Sequence, residues 1–181
     1  VEKTIQRISP EIGKKIKSII SLKKIPRNKI IKKYYPKEVY EFMGYFIGDG
    51  SFMRNKTNQK NNKDYYLQLA AGSDKEEIIN NLMKPLQNQG YIRSFWVSKK
   101  GDIIINGLKL VKLICNELRD TNKNKVIPKW LFYESEEAIC SFLRGLFSAD
   151  GTVIMRQNRP IVRLTSIRED IIKDTKKMLY F

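Results

Sequence analysis

Two aspartates in this chain sit in the same kind of segment. Asp49 lies in FMGYFIGDGSF (42–52) and Asp150 in FLRGLFSADGTV (142–153), 101 positions apart. Ahead of each acid, small residues stand four apart: Gly44 and Gly48 in one segment, Gly145 and Ala149 in the other. Residues at that spacing share a helix face, and small ones let two helix backbones approach closely. Packed in parallel, two such helices would bring both carboxylates out at the same end. At ~5 Å and an effective dielectric near ~20, the acids repel by about 3 kcal/mol. The negative ends of the helix dipoles add to that penalty. A cation offsets both. Carboxylates and backbone carbonyls without His or Cys suit a hard divalent ion, Mg²⁺ or Mn²⁺. In a basic protein this donor set points to phosphodiester hydrolysis, the metal activating water and stabilising the leaving oxygen. A lone Asp-Gly reads equally well as a turn. The second copy sets these two apart from ordinary turns.

Composition narrows the chemistry. Across 181 residues the formal charge is +16, and there is no histidine. A His general base and a His-ligated metal are therefore excluded, and the excess charge asks for a polyanion, most simply nucleic acid. A Lys-rich soluble protein is the plainer alternative. With 41% hydrophobic residues the chain can bury a core. Cys115 and Cys140 fall within apolar-periodic segments, so small buried hydrophobes in a reducing, intracellular setting (cytoplasm, nucleoid or an organelle) are expected. No apolar run reaches membrane length.

Certain elements must position the acids. Residues 1–37 form a basic, helix-patterned segment, and residues 1–40 hold 12 Lys/Arg against 3 Asp/Glu. From residue 38 the periodicity predicts helix, two strands, helix, two strands, helix, up to residue 134. Ser135 before two glutamates is an N-cap for the next helix. GTVIMR and PIVRLTS then read as strands, and REDIIKDTKKMLYF as a helix. Residues 135–181 thus repeat the start of 38–134 without its second strand pair.

At FMGYFIGDG (42–50) and LRGLFSADG (143–151) the sequence resembles the LAGLIDADG homing endonucleases, over about 38–181, the second motif being especially like those of intein-encoded members. The resemblance implies an α+β fold of pseudo-twofold αββαββα repeats, here one full repeat and the start of a second. Its motif helices, with Gly44, Gly48, Gly145 and Ala149, would form the repeat interface. It implies Asp49 and Asp150 as metal-binding acids, with the Gly48 and Ala149 carbonyls nearby, and a catalytic lysine in NKNKVIP: Lys125, with Lys123 as the fallback. Either lysine could equally be an exposed loop residue. The helper residue usual at the end of the second strand falls near Gly72–Ser73, which carries no Gln or Lys.

The sheet face away from the helices would enter the DNA major groove. Alternation turns Leu67, Leu69, Val162 and Leu164 inward. Ser51, Met53, Asn55, Thr57, Tyr66, Gln68 and Ala70 then face outward in the first repeat, with Arg93 and Phe95 from the later strand pair. Ile154, Arg156, Asn158, Arg163 and Thr165 do so in the second. Each of these could equally belong to a solvated strand face. The resemblance implies a metal-dependent, site-specific endonuclease acting on double-stranded DNA, as in intein or intron homing. The alternatives are a non-cleaving RNA maturase or transcription regulator, an inactive relic, or a basic binding module. A further portion or a second chain is expected to complete the second repeat.

Overall fold

The computed structural model describes residues 34–54 and 65–180, so residues 1–33 of the basic segment, and Asn55 and Thr57, lie outside the described residues. Pro36 opens helix α1 (Lys37–Asp49), where a missing N–H costs nothing. Strands β1 (Gly50–Arg54) and β2 (Tyr65–Leu69) follow. Helix α2 runs as Lys75–Ile78, a π-wound stretch Ile79–Met83, and Lys84–Asn88. The π winding has a cause in the sequence. The ring of Pro85 would clash with a carbonyl one turn back, and widening the turn just ahead of it relieves that clash. Strands β3 (Ser94–Val97) and β4 (Ile103–Asn106) precede helix α3 (Leu108–Glu117).

These strands form one antiparallel sheet in the order β1-β2-β4-β3. Its inner face carries Leu67, Leu69, Ile103 and Ile105, all fully buried against α1, α2 and α3 in a single core. Burying a Leu or Ile side chain contributes roughly 1.5–3 kcal/mol, so alternate strand residues fix which face meets the helices.

Helix α4 (Glu136–Asp150) starts at Ser135, whose hydroxyl accepts from the Ala138 N–H as the N-cap pattern predicts. Then come β5 (Gly151–Arg156), β6 (Arg159–Leu164) and α5 (Glu169–Met178). The β5–β6 hairpin turns on Gln157 and Asn158 at φ 50° and 58°. Two-residue hairpin turns of this hand need positive φ at both positions, which Asn tolerates. Asn158 is therefore a turn residue, not the strand residue expected.

Register corrects a second expectation. Phe95 pairs with Ile105, which also pairs with Leu67, so all three share the inner face and Phe95 packs on the core. Trp96, opposite Ile104 and half exposed, takes the outward position. Val162 does lie on the same side as Leu164, yet it is 62% exposed, as are Val153 (67%) and Met155 (68%). Only Leu164 of that row reaches the core. Cys140 is exposed rather than buried, and Cys115 is intermediate.

Candidate active site

The site is built from the seam between α1 and α4. A Cβ on Gly44 would overlap the Phe142 carbonyl oxygen and stand 2.7 Å from the Leu146 nitrogen. A Cβ on Gly145 would overlap the Glu41 carbonyl oxygen and stand 2.8 Å from the Tyr45 nitrogen. The contact is reciprocal under the 101-residue offset, since 145 corresponds to 44 and 142 to 41. That is the signature of a local twofold axis. Farther along, a Cβ on Gly48 would meet the Ala149 methyl at 2.5 Å and the Asp150 carboxyl carbon at 3.1 Å. The two helices therefore touch main chain to main chain, and their last residues are Asp49 and Asp150. Arg144 and Glu41 join them at 2.9 Å across the seam.

The glycine after each acid is duplicated as well. Gly50 and Gly151 sit at φ −82° and −86° in extended backbone, and each donates its N–H back to a helix carbonyl, Phe46 or Phe147. Neither is a left-handed turn glycine. A Cβ at either would overlap that same carbonyl oxygen, so lack of space requires the glycine. The Asp49 carbonyl accepts from Ala70 N–H (3.1 Å) and the Asp150 carbonyl from Thr165 N–H (3.4 Å). The end of the second strand thus ties each acid's backbone in place.

Lys125 reaches this point from the loop after α3. Its ammonium donates to the carbonyls of Gly48 (2.7 Å), Gly50 (3.0 Å) and Phe46 (3.3 Å), which close the C-terminal end of α1. An Arg119–Lys125 strand bridge and Asn124 N–H bonded to Asp120 (2.7 Å) shape the loop. Lys123, at φ 67°, forms its turn and is exposed. Of the two lysines, Lys125 is the one brought to the acids.

The charges press on one another. Burial holds the Asp49 carboxyl above the usual aspartate range, the Asp150 charge adds to this, and Lys125 opposes it. Burial raises Asp150 too, again against Lys125. Burial pushes the Lys125 ammonium below the usual lysine range. The two acids resist that shift, and Arg168 reinforces it. Each group is pressed toward its neutral form, which is how a half-buried charge cluster lacking a full complement of counter-charge behaves.

The donor set fits a hard divalent cation. It offers two partly desolvated carboxylates, with the Gly48 and Ala149 carbonyls next to them in the chain. Among the described residues no group of three or more His, Cys, Asp or Glu could hold a metal. Mg²⁺ is commonly held by one or two carboxylates, with water and substrate phosphate completing its shell.

Residues 137–180 match the LAGLIDADG-like domain family. The fold matches that of an I-DmoI variant, solved with its target DNA nicked in the coding strand and 2 mM manganese present. The TM-score is 0.57 at 18% identity, covering 80% of this chain and 75% of that one. This chain thus carries a LAGLIDADG-like domain. The LAGLIDADG chain is also 35% identical over 180 residues to a DNA polymerase of Thermococcus sp. (strain GE8), and 36% identical over 180 residues to one of Thermococcus hydrothermalis. Those matches cover 99% of this chain and 10% and 11% of the polymerases, so it spans about a tenth of the length of the curated relatives it matches.

The outward sheet face of the LAGLIDADG chain carries Ser51, Met53, Tyr66 and Gln68, joined by Ile104 and Trp96. Exposed Ala70 follows β2, and exposed Arg93 precedes β3 with its N–H on the Asn106 carbonyl. On the β5–β6 hairpin the outward row pairs Thr152 with Arg163, Ile154 with Ile161 and Arg156 with Arg159, and exposed Thr165 follows. Trp96, Arg159, Asp102 and Arg168 are absent from the sequence-derived set. Assigning Phe95 inward would have found Trp96, and placing Asn158 in the turn would have set Arg159 opposite Arg156. Asp102 and Arg168 come close to other groups only through the tertiary fold.

Proposed function

We propose that this LAGLIDADG chain is the DNA-cleaving part of a site-specific endonuclease that hydrolyses phosphodiester bonds of double-stranded DNA with a divalent metal. The observation that carries this reading is the convergence of Asp49, Asp150 and Lys125 at one end of a seam where two helix backbones touch. Mg²⁺ or Mn²⁺ would be held by the two aspartates with the Gly48 and Ala149 carbonyls, supplying charge where the scissile phosphate gathers it. Lys125, desolvated beside the two acids, would position and polarise the attacking water. It would do so by turning one N–H from the Phe46 carbonyl, its longest bond at 3.3 Å, to that water. The outward rows, with Arg156, Arg159 and Arg163 on the second hairpin, would lie in the major groove, the arginines bonding base edges or phosphates. A stretch with its own hydrophobic core that matches a tenth of DNA polymerases fits an inserted, intein-like element that would act independently of its host.

One observation favours a second reading. The Lys125 ammonium already sits on the Gly48 carbonyl, as suits a non-cleaving nucleic-acid binder whose lysine has replaced the metal. Selection of cleaved sites from a randomised duplex library separates the two. With the full-length protein, Mg²⁺ should give double-strand cuts and Ca²⁺ binding alone. Asp49→Asn and Asp150→Asn should abolish cutting and leave binding intact. Cleavage that persists in both variants would overturn the metal assignment. Binding without any cleavage would favour the second reading.

A further inference from the structure

We propose that Asp102 and Gln68 together read one base of the target, accepting a hydrogen bond from an exocyclic amino group, so that adenine or cytosine is admitted and guanine or thymine refused. This rests on the reading that the outward sheet face meets DNA in the major groove.

The register of β2 and β4 sets Gln68 opposite Ile104. Asp102, two residues earlier, is therefore its diagonal neighbour on the same outward face, within reach of a long side chain. The Gln68 side-chain N–H donates to the Asp102 carboxylate at 2.8 Å. Asp102 is itself fixed. Its N–H donates to the Ser98 hydroxyl (3.2 Å), and its carbonyl accepts from Ser98 N–H (2.8 Å).

A carboxylate can only accept, so the NH₂ side of the Gln68 amide must face it and the amide cannot turn round. The Gln68 carbonyl oxygen is then directed elsewhere with its lone pairs available. The second Asp102 oxygen is another acceptor beside it. A free glutamine reads either polarity, whereas a glutamine pinned in this way presents acceptors.

In the major groove adenine and cytosine offer an amino donor at the matching edge. Guanine offers two acceptors, O6 and N7, and thymine offers O4. Acceptors set against acceptors repel, so the pair excludes as well as selects. Charge strengthens the case. In a chain of net +16, an acid on the face that meets a polyanion is a cost unless a donor comes to it.

The test is binding-site selection from a randomised duplex library in Ca²⁺, using the full-length wild-type protein and its Gln68→Ala, Asp102→Asn and Asp102→Ala variants. In the wild type, one position should take adenine or cytosine over guanine and thymine on the same strand by about tenfold to a hundredfold. Asp102→Asn and Asp102→Ala should lose that exclusion at that position alone, and Asp102→Asn, which keeps the shape and supplies a donor, should admit guanine. Gln68→Ala, which leaves only the Asp102 acceptors, should weaken the exclusion without reversing it. An exclusion that survives Asp102→Asn and Asp102→Ala overturns the proposal. So does a uniform loss of affinity with an unchanged profile, which would make Asp102 only a brace between strands. Enrichment at other positions with no such position in the wild type refutes the pair while sparing the DNA reading. A wild type that enriches nothing overturns both.

Discussion

Replacing Gly145 by alanine sets two effects of opposite sign against each other. Alanine is the better helix former, and in an exposed helix interior the change would gain about 1 kcal/mol. At Gly145 the new methyl would overlap the Glu41 carbonyl oxygen and stand 2.8 Å from the Tyr45 nitrogen, where ordinary contact begins at 3.4 Å. Those atoms are main chain inside α1, so no rotamer can move them away. Relief requires the helices to part by roughly an ångström, and overpacking of that kind costs about 1–3 kcal/mol, with a backbone-bound site at the upper end. The net expectation is a loss of about 2 kcal/mol. For a domain of roughly 150 residues that lowers Tm by about 4–8 °C. Thermal and urea unfolding followed by circular dichroism measure it, with Ser148→Ala, at an exposed position of the same helix, as the control for propensity. Gly44→Ala should cost a similar amount. Gly44→Ala and Gly145→Ala together should cost less than their sum, because helices already parted need not part again. If Gly145→Ala is as stable as the wild type, or more stable, the helices do not meet backbone to backbone and the seam is wrong.

Burial holds both aspartates above their usual range, so the metal-free folded state binds protons more tightly than the unfolded chain, and stability falls as pH rises through that interval. Asp49→Asn and Asp150→Asn should therefore each raise the metal-free Tm at pH 7. The gain should fade below about pH 4, where aspartate is protonated in both states; an unchanged Tm at pH 7 would contradict the charge cluster. Lys125→Met strips three carbonyls at the end of α1 of their donor and should cost about 1–3 kcal/mol of metal-free stability by urea titration. An exposed loop lysine would cost nothing. Phe95→Ala should lose about 2–3 kcal/mol of folding stability with base preferences intact. Trp96→Ala should leave stability within about 1 kcal/mol of the wild type and weaken DNA binding. The reverse pattern would mean the β3 register is misread.

Much of the site is legible in the sequence because it depends on helix periodicity. Four-residue spacing places Gly44 with Gly48 and Gly145 with Ala149 whatever the rest of the chain does, and repetition separates the aspartates from ordinary turns. Lys125 comes from the family resemblance, and nothing local distinguishes it from Lys123. What selects it is a hairpin-like loop with Lys123 in a left-handed turn. The outward strand residues are harder. Alternation is sound within a strand, yet its phase must be anchored, and YIRSFWVS has apolar residues on both faces. Pairing with Ile105 supplies the anchor, and it turns Phe95 inward. Asn158 fails for a related reason: QN continues the strand pattern by eye, whereas both residues belong to the two-residue turn. No periodicity announces that Gln68 and Asp102 meet, since their contact spans 34 residues.

Because α1 and α4 meet main chain to main chain at Gly44 and Gly145, the separation of the backbones that carry the two acids is set by peptide geometry. Small domains lose their packing and their hydrogen-bonded helices in one cooperative transition. The gap that would cradle the ion should thus stay constant up to the melting transition, with no temperature window in which the folded chain has lost its grip on metal. Catalytic competence and foldedness would then end together, as one event.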